Sequence, residues 1–247
     1  MPQVREIARV SACDSMLGSA SDRSSGLLET AMSRRSFLGV AACGMLTACG
    51  CDKGKGSAEL DPRRLQNALE GIRAWLVEHT PDVAHQLQPG LSSKEIETIT
   101  ANVPFALPFE ESLLYEWHNG STSDGPFIFN HRYLPLQEAV EFYRKGLGTG
   151  WQTSWFPLFM HKGDAYIVAP FGFKSKQMPI RHFTLQSTES PNVFQNLTAM
   201  METALDWFRS GAVRAARNGT LRPDEDMMRK IFERHNPGLP FPGIPGQ

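Results

Sequence analysis

The chain has 247 residues, 41% of them hydrophobic, and its 25 Lys and Arg stand against 26 Asp and Glu for a formal charge of −1. That balance excludes the basic surface of a nucleic-acid binder and equally the acidic surface of a nucleic-acid mimic, while the length suits one domain with a substantial core. Cys13, Cys43, Cys49 and Cys51 all lie in the first 51 residues, so no disulfide staples the remainder.

Residues 1–31 are Ser-rich and carry no sustained helical or strand period, and Met32 is the more natural start. Ser33-Arg34-Arg35-Ser36-Phe37-Leu38 follows, then an apolar run over 37–48 ending in Leu46-Thr47-Ala48-Cys49. A charged segment, a short apolar stretch and small residues before a cysteine are the order of a cleaved export signal. The run is too short to span a bilayer core, which takes about 20 residues. The first motif resembles a twin-arginine signal, S-R-R-x-F-L-K, with Gly39 in place of the usual Lys, and the second resembles the lipobox of bacterial lipoproteins. The resemblance implies that 1–48 is removed, that Arg34, Arg35, Phe37, Leu38, Leu46 and Ala48 direct export and cleavage, and that Cys49 is lipidated. The domain would then face the periplasm or cell exterior, held to the bilayer by acyl chains that exceed the two anchoring signals stable attachment requires. A twin-arginine substrate folds before export in a reducing cytosol, which suits a body without disulfides. Without 1–48, 20 basic and 22 acidic residues remain, and the mature chain is still nearly neutral.

Residues 49–60, with Asp52-Lys53-Gly54-Lys55-Gly56-Ser57, read as a flexible tether with an r.m.s. span of about 17 Å. Asp61 and Pro62 then open a helix whose Leu65, Leu69, Ile72 and Leu76 share one face, up to the Thr80-Pro81 stop. Ser92 and Glu95 form a capping box, with Leu91 and Ile96 as the staple and Ile96, Ile99 and Val103 on the buried face. A third helix is expected from Pro108, with Leu113, Leu114 and Trp117 inward and Asn119-Gly120 stopping it and reversing the chain.

Short strands are expected at 127–129, 155–160, 165–168 and 180–185, with a helix over 136–145 after Pro135. The strongest helical stripe runs over 196–209, through Leu197, Met200, Met201, Ala204, Leu205 and Phe208. A last helix is expected to begin at Pro223, its positive end favoured by Asp224, Glu225 and Asp226, and Pro237-Gly238 closes it before an extended tail.

Ile96, Leu107-Pro108, Leu114, Trp117-His118-Asn119-Gly120, Trp155-Phe156-Pro157-Leu158-Phe159, Gly163-Asp164 with Tyr166-Ile167-Val168, and the closing helix between Asn192 and Ser210-Gly211-Ala212 form an ordered set. That order resembles the SUKH superfamily, which includes the fungal Smi/Knr cell-wall regulators and many bacterial immunity proteins. The resemblance covers residues 91–212, about half the chain. It implies a single α+β domain over 61–212, a mixed and mainly antiparallel sheet flanked by helices, acting by binding and not by chemistry. The polar segment 120–126 is shorter than a ligand-gripping loop, and 213–247, a helix plus a Pro/Gly-rich tail, has no counterpart in the family.

Motifs for chemistry are missing from the sequence. His118 ends a helix, His161 falls in a hairpin, His131 and His182 flank strands, and none has the H-E-x-x-H spacing of a zinc site. No G-x-S-x-G elbow, S-x-x-K pair or phosphate loop occurs in the body. Glu110 and Glu111, with Glu116, could be imagined as a glycosidase pair, but the first two sit where a helix's first turn favours acids. Asp164 reads as a hairpin residue. The sequence therefore points to no catalytic residue, metal or cofactor.

Aromatics crowd residues 151–173. Phe156 and Phe159 suit the core, while Trp151, Phe171 and Phe173, beside Gly and Lys, are candidate partner anchors. The expectation is a non-catalytic, membrane-anchored immunity protein whose partner is an envelope-targeting toxin. The alternative is an envelope scaffold or regulatory module without a toxin partner, and a small hydrolase ranks third.

Overall fold

The computed structural model describes residues 61–122, 125, 127–128, 130–169, 178–185, 187, 189–215 and 221–243. The export signal, Cys49 and the tether lie outside the described residues, as do Phe171 and Phe173.

The chain runs α1 (Pro62–His79), α2 (Pro81–His85), β1 (Leu87–Pro89), α3 (Ser93–Thr100), α4 (Phe109–Trp117), β2 (His118–Ser121), β3 (Arg132–Tyr133) and α5 (Leu136–Lys145). It continues with β4 (Phe156–His161), β5 (Asp164–Val168), β6 (Ile180–Phe183), β7 (Asn192–Phe194), α6 (Leu197–Ser210), β8 (Val213–Ala215), β9 (Leu221–Pro223) and α7 (Glu225–His235). Strands β3 to β7 form one antiparallel meander in chain order, and β1 with β2 and β8 with β9 form separate two-stranded pairs. This is the α+β class that the sequence predicts.

Local signals placed the helices. Asp61 accepts from Arg63 N, both bonds of the Ser92–Glu95 capping box form, Asn196 caps α6 through Ala199 N, and Asp224 caps α7 through Met227 N. Pro223 belongs to β9, and α7 starts two residues later.

The pleat divides the sheet's burial between two faces. Tyr166 and Val168 of β5 enter the main core with Phe156, Phe159, the α1 stripe, Met200 and Met201. Ala165 and Ile167 point the other way, into a smaller cluster with Trp155 and Phe183.

The division expected after residue 212 is absent. Val213, Met228, Ile231 and Phe232 share the main core, and Trp207 Nε1 donates to Met228 O at 2.9 Å. Nor is the tail wholly free of the domain: Leu239 and Phe241 pack on that core, Phe241 lying 5.4 Å from the Phe232 ring with Arg229 over its face at 4.6 Å.

Two further features differ from expectation. Asn119-Gly120 does not reverse the chain, because α4 passes directly into β2, which contains both residues. Of the run expected at 127–129, Phe127 and Ile128 belong to no named strand, and Ile128 forms an isolated bridge with His131.

Candidate functional site

The motif Trp117-His118-Asn119-Gly120 sits where β1, α4, β2 and α5 converge, and each of its residues has a structural employment. Trp117 Nε1 donates to Glu70 Oε1 on α1 at 3.0 Å, and His118 Nδ1 donates to Gln88 O on β1 at 2.6 Å. Burial pushes the His118 imidazole below its usual range, against the pull of the Gln88 carbonyl. Asn119 Oδ1 accepts from Leu136 N at 2.8 Å, and its Nδ2 donates to Gln137 Oε1 at 3.2 Å, so it caps the first turn of α5 from outside that helix. Gly120 has φ 71°, and a Cβ there would lie 2.3 Å from Pro135 N. The hydroxyl of Tyr133 closes the junction, its one proton shared between the carbonyls of His118 at 2.5 Å and Leu114 at 3.0 Å.

Beside this junction an open groove of about 260 Å³ runs along α3, lined by Leu91, Ser92, Lys94, Glu95, Thr98, Ile99 and Gln137. Glu95, its carboxylate, is committed to Ser92, whose hydroxyl and backbone N–H hold it below the usual carboxylate range.

Glu110 and Glu111 lie in the first turn of α4 as the sequence suggests, yet both are buried, at 1% and 0% exposure. The helix start packs against the start of α6, where Glu110 accepts from Thr198 Oγ1 at 2.5 Å and Leu197 N at 3.3 Å. Burial raises its pKa against these bonds. Glu111 has neither carboxyl oxygen hydrogen-bonded among the described residues, and burial, then the neighbouring Glu110 charge, raises it to about 8. It is therefore a neutral acid at pH 7. Glu116 belongs elsewhere, accepting from Ser93 Oγ at 2.8 Å, so the three carboxylates imagined as a set do not converge as one.

Of the anchor candidates, Trp151 is half-buried on the sheet face opposite the main core, edge-on to Trp155 at 5.7 Å and to Phe183 at 5.2 Å. Its Nε1 is buried and makes no hydrogen bond among the described residues. This cluster joins Leu147, Trp151 and Trp155 from the α5–β4 loop to Ala165, Ile167 and Phe183 from β5 and β6 and Ala169 just after β5. Leu185, 45% exposed, extends the patch over Gly148 and Gly163. Phe156 and Phe159 are fully buried in the main core.

The histidines that the sequence left scattered are partly gathered by the fold. His131 and His182 lie in ring contact with Tyr166 on the sheet's main-core face, and His161 lies near His131. Among the described residues no group of three or more His, Cys, Asp or Glu is arranged to hold a metal ion. Asp164 is a hairpin residue, its Oδ1 accepting from Leu185 N at 3.2 Å. The histidine grouping and the burial of Glu111 escaped the sequence reading, since neither has a local signature.

No protein-family model matches the chain, and no curated protein is significantly similar to it.

Proposed function

We propose that the chain is an exported, lipid-anchored binding protein whose SUKH-like α+β domain captures a protein partner in the cell envelope, most specifically a toxin that attacks the envelope. The observation that carries this reading is the pairing of Arg34-Arg35 with the Leu46-Thr47-Ala48-Cys49 lipobox ahead of a domain with a single main core. Among the described residues no helix is long and apolar enough to cross a membrane. The reading assigns attachment to the lipid on Cys49.

Two structural observations support binding. The residues that carry the family resemblance, Trp117 to Gly120, are spent on holding helices and strands together, which is what a scaffold for a recognition surface requires. The second aromatic cluster brings Trp151 and Leu185 to the sheet face away from the main core, as an apolar patch suited to a partner. Near-neutral charge fits a partner other than nucleic acid.

Deleting the gene and challenging the cells with toxins encoded beside it tests the reading. Sensitivity to one such toxin, rescued by the wild-type chain, supports an immunity role. Full resistance to all of them removes it in favour of a scaffold or regulatory module.

A further inference from the structure

Charge is unevenly spread along a chain that is nearly neutral as a whole. Residues 142–188 hold Arg144, Lys145, Lys162, Lys174, Lys176 and Arg181 against a single acid, Asp164, a local charge of +5 in a chain of −1. The same stretch builds the second aromatic cluster, on the sheet face away from the main core. Lys174 and Lys176 lie outside the described residues, and the fold sets the other four cations beside that cluster.

Arg144 and Lys145 end α5, and the next residue, Gly146, meets Trp151, whose Cδ1 lies 3.0 Å from where a Gly146 Cβ would stand. Lys162 sits in the β4–β5 hairpin, and the adjoining Gly163 lies under Leu185. Arg181 is the cross-strand partner of Ile167, so it shares the face of Ile167 and Phe183. Two of the four are already engaged: Lys145 pairs with Glu141 one turn earlier, and Arg181 Nη1 donates to Ser190 O at 3.2 Å. Arg144 and Lys162 are exposed, and their side chains make no hydrogen bond or ion pair among the described residues. The acids that border the face are Glu141, paired as above, Asp164, which accepts the Leu185 N–H, and the exposed Glu189 after β6.

We propose that this face docks an acidic protein, one that presents Asp and Glu around an apolar knob. The knob seats on Leu147, Trp151 and Leu185, and the acids meet Arg144, Lys162 and Arg181. An apolar centre within a polar rim is the anatomy of a protein interface, with Trp and Arg as its usual anchors. Opposite charges facing each other across such a rim speed encounter and reject partners of the wrong sign. A lipid surface fits less well. Leu185 is the one exposed large apolar side chain that this face shows among the described residues, while Leu147 and Trp151 are half-buried, which leaves little to insert among acyl chains. The proposal rests on the reading of the domain as a protein binder, and not on its export.

Random twelve-residue peptides displayed on phage, selected against the full chain as Cys49→Ser, which takes no lipid, test it. The selected peptides are expected to pair Asp or Glu with Leu or an aromatic residue. One of them, synthesised, is expected to perturb backbone resonances at 147–151, 162–167 and 181–185. Arg144→Glu with Lys162→Glu changes two exposed side chains that hold nothing in the fold, and it is expected to weaken that peptide's binding at least tenfold. No enrichment of acids, equal affinity of the two chains, or perturbation centred on the α3 groove overturns the proposal. Sedimentation with phosphatidylglycerol vesicles that the double variant abolishes, without acids among the peptides, overturns it in favour of a lipid surface. The toxin challenge reports separately. Resistance to every toxin, with acidic peptides still selected, removes the immunity role and leaves the docking face; sensitivity to one, with no acidic selection, does the reverse.

Discussion

Asn119 and Leu136 are joined by a 2.8 Å hydrogen bond, from the first backbone N–H of α5 to the Asn119 Oδ1, across 17 residues of chain. The residue preceding that helix is Pro135, which has no side-chain acceptor to cap it, so β2 supplies the cap from outside. Asn119→Ala removes the acceptor and leaves a buried donor, at a cost of about 1–3 kcal/mol. Gly120→Ala drives a Cβ into the Leu134-Pro135 backbone at a positive φ and is expected to cost more. Urea unfolding of both variants measures this; two variants within about 0.5 kcal/mol of wild type would contradict the junction's structural role.

Glu111 has a signed effect on pH dependence. Its carboxyl, raised to about 8 in the fold, is neutral where the unfolded chain, near the ordinary 4.5, is ionised. The unfolded state therefore binds fewer protons between about pH 4.5 and 8, and stability falls as pH rises through that window. Glu111→Gln keeps the shape and removes the titration. It is expected to match wild type near pH 4.5 and to be more stable at pH 7 by roughly 3 kcal/mol, an upper figure from the size of the shift. Unfolding free energies across pH 4.5–8 check it, and parallel curves for the two proteins would refute it.

Trp155 and Trp151 are expected to separate stability from recognition. Trp155, 4% exposed, anchors the second cluster, and Trp155→Ala should cost about 3–5 kcal/mol. Trp151 is half-buried beside it, so Trp151→Ala should cost about half as much in stability. As a partner anchor, Trp151→Ala should also weaken partner affinity at least tenfold, about 1.4 kcal/mol. Denaturant unfolding and titration with the captured partner give both numbers, and unchanged affinity would make Trp151 a packing residue only.

Six of the seven described helices were legible because their signals are local, while α2 was missed because Pro81, its first residue, reads in sequence as the stop of α1. Asp61 with Pro62, Ser92 with Glu95, Pro135, Asn196 and Asp224 all act within a turn of the helix they start. The α6 stripe needed only its own spacing, and the core filled it as read. What the sequence could not display depends on distant partners. Asn119-Gly120 has the chemistry of a turn, but its side chain and its positive φ serve Leu136 and Pro135, which only folding brings near. Glu110 and Glu111 obey the first-turn preference for acids, yet the α6 start that buries them comes almost ninety residues later. The three-residue strands β1, β8 and β9 are too short to show a period, and Tyr166 meets His182 through strand register. The Phe241 contact went unseen because Pro and Gly around it mask an apolar anchor as punctuation.

Arg34 and Arg35 make a separate prediction about the route. Replacing both with Lys keeps the charge and removes the guanidinium pair that the twin-arginine resemblance rests on. Export should be lost and the precursor should accumulate in the cytosol, read by fractionation and immunoblot. Export of the double variant at the wild-type level would assign the leader to another route.

The central claim, a binding domain hung from the envelope by its own lipid, is tested most directly by the mass of the mature N-terminal peptide recovered from the membrane fraction. The account predicts a peptide that begins at Cys49 and carries diacylglyceryl and an amide-linked acyl chain, and its loss from membranes in Cys49→Ser. A chain that keeps residues 32–48 and carries no lipid, with Cys49→Ser distributed as wild type, would contradict it.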